Sequence, residues 1–94
     1  MRQLLLTRLG LVVHPQRALD RALDTLRSWS DEHGVDVVQV PAPGQDRRVA
    51  EPGEPEACDV IIALGGDGTA LAALRTGAAV GKPVIGVAAA ASGR

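Results

Sequence analysis

A single junction near the middle of the chain restricts its fold more than any other feature. Asp59-Val60-Ile61-Ile62-Ala63-Leu64 is an apolar, β-branched run that passes without a spacer into Gly65-Gly66-Asp67-Gly68-Thr69. A short apolar run of this kind suits a strand buried on both faces. The residues that follow predict a helix of small side chains, with Ala70, Leu71, Leu74 and Ala78 facing inward and Gly81 near its end. Pro83-Val84-Ile85-Gly86-Val87 then reads as another strand. Strand, tight turn, helix and strand make one parallel crossover unit, whose sheet needs helices on both faces.

The N-terminal half follows the same logic without repeating the sequence. Leu9-Gly10-Leu11-Val12-Val13 ends at His14-Pro15 and predicts a first strand. From Arg17 the period changes: Leu19, Ala22, Leu23, Leu26 and Trp29 share one helical stripe, opposite Asp20, Arg21, Asp24 and Arg27. Trp29, the one aromatic residue, is expected in the core. The pairs Arg17–Asp20, Arg21–Asp24 and Asp24–Arg27 each add about 0.2–0.5 kcal/mol. Gly34 predicts the helix stop, and Val35, Val37, Val38 and Val40 a second strand. Residues 41–57 hold four of the six prolines and read as a surface loop, with one helical turn over 47–50 and Arg47 and Arg48 solvated.

Together these elements predict an α/β fold: a parallel, Rossmann-like sheet of about four strands with flanking helices. Ligands of such sheets collect beyond the carboxyl ends of the strands. The glycine loop sits at that edge.

Composition narrows the partners. A formal net charge of −1 provides no basic surface, so neither nucleic acid nor an anionic membrane is expected. Cys58 is the lone cysteine, which excludes an internal disulfide and a Cys-rich metal site and fits a reducing cytoplasm. It is expected to pack as a small apolar residue. Residues 1–13 have the look of a secretion signal only superficially, because Arg8 interrupts the leucine run and no small-residue cleavage site follows. No run approaches the ~18 apolar residues of a membrane span.

The chemistry lies in the glycine loop. Glycines 65, 66 and 68 allow positive φ and let a ligand approach without a Cβ in the way. A loop that opens a helix turns free N–H groups and the positive dipole end outward, a ready phosphate site. Asp67 repels phosphate, so three jobs suit it: accepting a proton from a hydroxyl, holding Mg²⁺, or capping the helix. Phosphoryl transfer to a hydroxyl needs a phosphate cradle and a positioned carboxylate, and this loop supplies both. Thr69 either meets the ligand or bonds locally in the first turn. His14 and Arg17, at the same edge, are further candidates to meet phosphate or ribose. Their bland readings are a solvated histidine and a pair with Asp20. Two other glycine patterns fail. Gly66-x-Gly68-x-x-Leu71 lacks the third glycine of a dinucleotide fingerprint, and Gly77-x-x-x-Gly81-Lys82-Pro83 is one residue short of a P-loop.

The run from Asp59 through the glycine loop to Leu71 resembles the signature of the NAD kinase family, within a wider group that includes diacylglycerol, sphingosine and 6-phosphofructokinases. Lys82-Pro83-Val84-Ile85-Gly86-Val87 is similar to that family's next strand, and the resemblance spans residues 9–87. Thr69 departs from the phosphofructokinases, which carry Ser there. The opening His14-Pro15-Gln16-Arg17 and the Leu71-Ala72-Ala73 after the loop depart from the lipid kinases.

The resemblance implies a phosphofructokinase-like, three-layer N-terminal domain over residues 1–94. It further implies phosphorylation of NAD to NADP, with ATP or polyphosphate as donor and Mg²⁺ shielding the phosphate. Asp67 takes the part of the base on the adenosine 2′-hydroxyl, and Gly65, Gly66, Gly68 and Thr69 line the substrate or phosphate site. The full-length form is expected to be a homo-oligomer. After Gly86-Val87 the family continues with Asn and a Gly-x-Leu-Gly-Phe segment, whereas this chain reads Ala88-Ala89-Ala90-Ala91-Ser92-Gly93-Arg94. The later NAD-binding motif and its all-β domain are absent, so the fragment is expected to be inactive alone. A lipid-kinase domain and a non-catalytic nucleotide-binding module are the alternatives.

Overall fold

Each apolar run expected to form a strand does so; the central ones are covered on both faces, as at Leu11, Val12, Ile61 and Leu64, whereas Ile85 and Val87 in the last one remain exposed. The computed structural model describes residues 6–14, 19–41 and 48–88. In chain order the elements are β1 (Arg8–Val13), α1 (Asp20–His33), β2 (Asp36–Gln39), β3 (Glu51–Pro52), β4 (Val60–Gly65), α2 (Asp67–Val80) and β5 (Val84–Ala88). All pairings are parallel, in the order β3-β2-β1-β4-β5. β1 and β4 form the centre, Leu9 opposite Val60 and Val13 opposite Leu64.

The crossovers β1–α1–β2 and β4–α2–β5 step away from that central pair in opposite directions. Right-handed connections therefore place the two helices on opposite faces. Packing agrees: Leu11, Val13 and Leu64 meet Leu19 and Leu23 on the α1 side, while Val12, Ile61 and Ala63 meet Ala73 on the α2 side, with Val40 and Cys58. The result is three layers, helix on sheet on helix. Gly34 and Gly81, both left-handed at φ 67° and 71°, end the helices.

The proline-rich segment differs from the expected loop. It contributes β3, with Val38 opposite Glu51 and Gln39 opposite Pro52. Among its described residues the helical turn, of 3-10 type, falls at Pro55–Ala57. Arg47 lies outside the described residues, residues 48–50 are not helical, and Arg48 is exposed. The anchor is the buried Gln39, whose Oε1 accepts from the amides of Val49 at 2.8 Å and Ala50 at 3.4 Å. Buried amides left without such a partner would be costly.

Three packing expectations are corrected. Trp29 is 37% exposed and stacks on His33 rather than entering the core. Leu71 and Leu74 are 51% and 53% exposed, and Ala78 is also exposed; the buried residues of α2 are Thr69, Ala73 and Gly77. The reason is distance. A Cβ at Gly77 would come within 2.5 Å of Val84 Cγ2 and 2.8 Å of the Lys82 carbonyl oxygen, so the helix lies too near the sheet for leucines. Arg27 donates to the carbonyl of Val49 instead of pairing with Asp24, and Arg17 lies outside the described residues. Among the described residues the one ion pair is Arg8–Asp36, at 3.5 Å.

The amino ends of β1 and β4 are fastened by Asp59. Its Oδ2 accepts from the Thr7 amide at 2.7 Å, the Thr7 hydroxyl at 2.9 Å and the Arg8 amide at 3.0 Å. The backbone amides of Thr7 and Arg8, with the Thr7 hydroxyl, hold its carboxyl below the usual carboxylate range. No helix among the described residues is long and apolar enough to cross a membrane.

Candidate functional site

The strand order turns back at β1 and β4, and their carboxyl ends, His14 and Gly65, mark the point where sheets of this kind hold ligands. The His14 amide extends the ladder by donating to the Leu64 carbonyl at 2.9 Å. Gly65 has φ +151°, and a Cβ there would lie 2.7 Å from Thr69 Oγ1 and 2.8 Å from His14 Cβ. Only glycine fits that turn. The structure thus brings His14, Gly65 and Thr69 together, while Arg17 lies outside the described residues.

Past the turn, Gly66 is the N-cap, extended at φ −107° and ψ −159°, with no side-chain cap hydrogen bond. The first intrahelical bond runs from the Ala70 amide to the Gly66 carbonyl, 3.0 Å. The amides before it have no partner within the helix and, among the described residues, no side-chain cap, and the positive dipole end lies among them. Asp67 is the first helical residue, not the cap, and it is exposed. Gly68 has no positive φ and nothing within 4 Å of a Cβ. Of the three loop glycines, Gly65 alone needs its conformational freedom. Thr69 is 7% exposed, and its hydroxyl makes no hydrogen bond among the described residues.

A cavity of about 240 Å³ opens in front of Asp67, lined by Ala63, Gly65, Gly66, Asp67, Ala70, Gly86 and Val87. Ala63 and Gly86 are register partners across β4 and β5, so two small residues meet where the floor forms. Among the described residues, the only charged group in the lining is the Asp67 carboxylate. Sequence reasoning missed Ala63, Ala70, Gly86 and Val87 as site residues. The available signal was a glycine interrupting an otherwise β-branched strand at residue 86.

Among the described residues no group of three His, Cys, Asp or Glu side chains could hold a metal. Cys58 is fully buried with its thiol toward the Glu54 carbonyl at 3.4 Å, and burial pushes that thiol up from its usual value. It packs, as expected, and does not approach the loop.

Residues 1–93 match the sequence model of the family described as the ATP-NAD kinase N-terminal domain. A curated relative, NAD kinase 1 of Streptomyces avermitilis, is 39% identical over 88 residues, covering 86% of this chain and 24% of that protein. The chain spans about a quarter of the relative's length.

Proposed function

This chain belongs to the ATP-NAD kinase N-terminal domain family, and from that premise we propose that it supplies the phosphate cradle and the proton acceptor of an enzyme that phosphorylates NAD to NADP. The observation that carries the reading is a juxtaposition. Amides uncapped by any side chain open α2, and the exposed Asp67 carboxylate stands beside them at the mouth of a cavity. The cavity in front of Asp67 and the absence of a cap bond from its side chain both favour a chemical role over a structural one.

In this mechanism the amides and positive end of α2 hold phosphate oxygens of the donor, ATP or polyphosphate. The Thr69 hydroxyl, which has no hydrogen-bond partner among the described residues, adds a donor beside them. Asp67 takes the proton of the adenosine 2′-hydroxyl as that oxygen bonds to the terminal phosphorus and the bond to the leaving oxygen breaks. Gly65 lets the turn pass between His14 and Thr69, and Gly66 and Gly68 keep side chains out of the phosphate's approach. A lone carboxylate suits Mg²⁺ that arrives on the donor's phosphates, where the ion supplies charge neutralisation.

A further, all-β domain completes the acceptor site, and the whole enzyme is a cytoplasmic homo-oligomer acting on small molecules, without nucleic acid or membrane as partner. The test is Asp67→Asn in the protein that joins this chain to that domain. NADP formation should fall by at least ~10²-fold with the circular dichroism unchanged. Retention of most activity would show that Asp67 is not the base. Calorimetry of the 94-residue chain with ATP and with NAD addresses the non-catalytic reading, since weak ATP binding is expected here and a plain scaffold binds neither.

A further inference from the structure

We propose that residues 48–53 form a strap that lifts from the edge of β2 and reseats as one unit, with the Gln39 and Arg27 side chains as its clasp. The strap stands apart from the glycine loop, with β2 and β1 between them, so it is independent of the chemistry at Asp67.

Little besides the clasp fastens this segment. β3 is two residues long, and Pro52 has no N–H to give to a ladder. Glu51 and Pro52 are exposed and Val49, Ala50 and Gly53 are half-buried, whereas β1 and β4 carry side chains as fully buried as Val13 and Ile61. The ties converge on residue 39, itself buried. Gln39 Oε1 accepts from the amides of Val49 and Ala50, at 2.8 and 3.4 Å. The Gln39 carbonyl accepts from the Gly53 amide at 3.0 Å, so one residue holds the strap near both ends. From the other side, the Arg27 guanidinium donates to the Val49 carbonyl.

These ties stand or fall together. One oxygen serves two consecutive amides only while both are seated, and the Val49 side chain packs at the same moment against the cluster of Leu11, Val13, Leu19, Leu23 and Leu64. At the far end Gly53 lies so close to β2 that a Cβ on it would come within 2.6 Å of Val38 Cγ2. A segment with few buried apolar contacts and shared hydrogen bonds opens locally, ahead of the sheet it rests on. The balance between the two positions is asymmetric. When the strap lifts, its amides and the Gln39 amide oxygen meet water. When it is seated, each needs its protein partner, so removing a partner penalises the seated position alone.

Amide hydrogen exchange of the 94-residue chain, read residue by residue by NMR, tests the strap in the parent, Gln39→Met and Arg27→Met. In the parent, Val49, Ala50 and Gly53 should share one protection factor, at least about tenfold below that of Ile61, whose amide donates to the Pro83 carbonyl within the sheet. Gln39→Met should speed all three by a common factor of about tenfold to a hundredfold and leave Ile61 within about twofold. Arg27→Met, at an exposed position on α1, should speed the same three by about three- to tenfold; if Gln39→Met does not fold, this variant decides. Gly53 is the discriminating amide, because its own acceptor is the backbone carbonyl of residue 39, which both substitutions leave in place. A Gly53 amide that keeps its parent rate while Val49 and Ala50 accelerate overturns the single unit. An Ile61 amide accelerated as much as the strap, or no acceleration in either variant, overturns the clasp.

Discussion

Two glycines in one loop make opposite demands, and replacing each with alanine tests the geometry directly. At Gly65 the alanine must hold φ near +151° and place its Cβ 2.7 Å from Thr69 Oγ1 and 2.8 Å from His14 Cβ. Rotation of Thr69 relieves the first contact but not the second, because a Cβ moves only with its backbone. The dihedral strain is worth about 1–3 kcal/mol, and the crowding about 1–3 kcal/mol more. For a domain of this size about 3 kcal/mol lowers the melting temperature by roughly 12–24 °C. At Gly68 the same change meets nothing within 4 Å in an unstrained helical turn. Alanine is better than glycine in a helix by about 0.5–1 kcal/mol, so Gly68→Ala should raise melting by roughly 2–8 °C. Thermal and urea denaturation of the 94-residue chain, followed at 222 nm, read both. The pair also separates fold from function, since Gly68→Ala should weaken ATP binding while it stabilises the chain. A destabilised Gly68→Ala, or a Gly65→Ala that melts with the parent, would refute the loop geometry.

Other outcomes follow from the same structure. Gly77→Ala, whose Cβ would press on Val84 and the Lys82 carbonyl, should cost about 1–3 kcal/mol in urea titrations. Leu74→Glu, at a 53% exposed position, should change the stability of the 94-residue chain by less than about 0.5 kcal/mol; a larger loss would place Leu74 in the core. Asp59, whose carboxyl is held low by the Thr7 and Arg8 amides, adds stability above the ordinary aspartate value of ~3.9, lost as pH falls through the lowered native value. Asp59→Asn should remove that part of the acid limb from a stability–pH curve. Cys58, buried with its thiol pushed up, should react with a thiol reagent only as fast as the chain opens, and denaturant should abolish the protection.

What the sequence revealed, and what it hid, divides along physical lines. The long strands were legible because burial on both faces writes itself as uninterrupted valine, isoleucine and leucine, as in Val60–Gly65. The glycine loop was legible because few backbones call for that composition between a strand and a helix. The inner face of α2 was not. Reading for large apolar residues picks Leu71 and Leu74, whereas close helix–sheet approach buries Thr69, Ala73 and Gly77. β3 was hidden because two residues ending in proline carry no strand pattern of their own and pair through β2. The cavity was half visible: Asp67 announced itself, but Gly86 lies nineteen positions further on and reaches the loop only through the β4–β5 register.

The tight seat of α2 has a mechanical corollary. A helix is a stiff rod rising 1.5 Å per residue, so Gly77 and Asp67 stand roughly 15 Å apart on one shaft. Any bulk that jacks the far end off the sheet tilts the near end, and a shift of about 1 Å at reacting atoms costs ~10²-fold in rate. The residue at position 77 is therefore disciplined by an event it never touches, and the shaft carries that discipline from the rear of the sheet to its front.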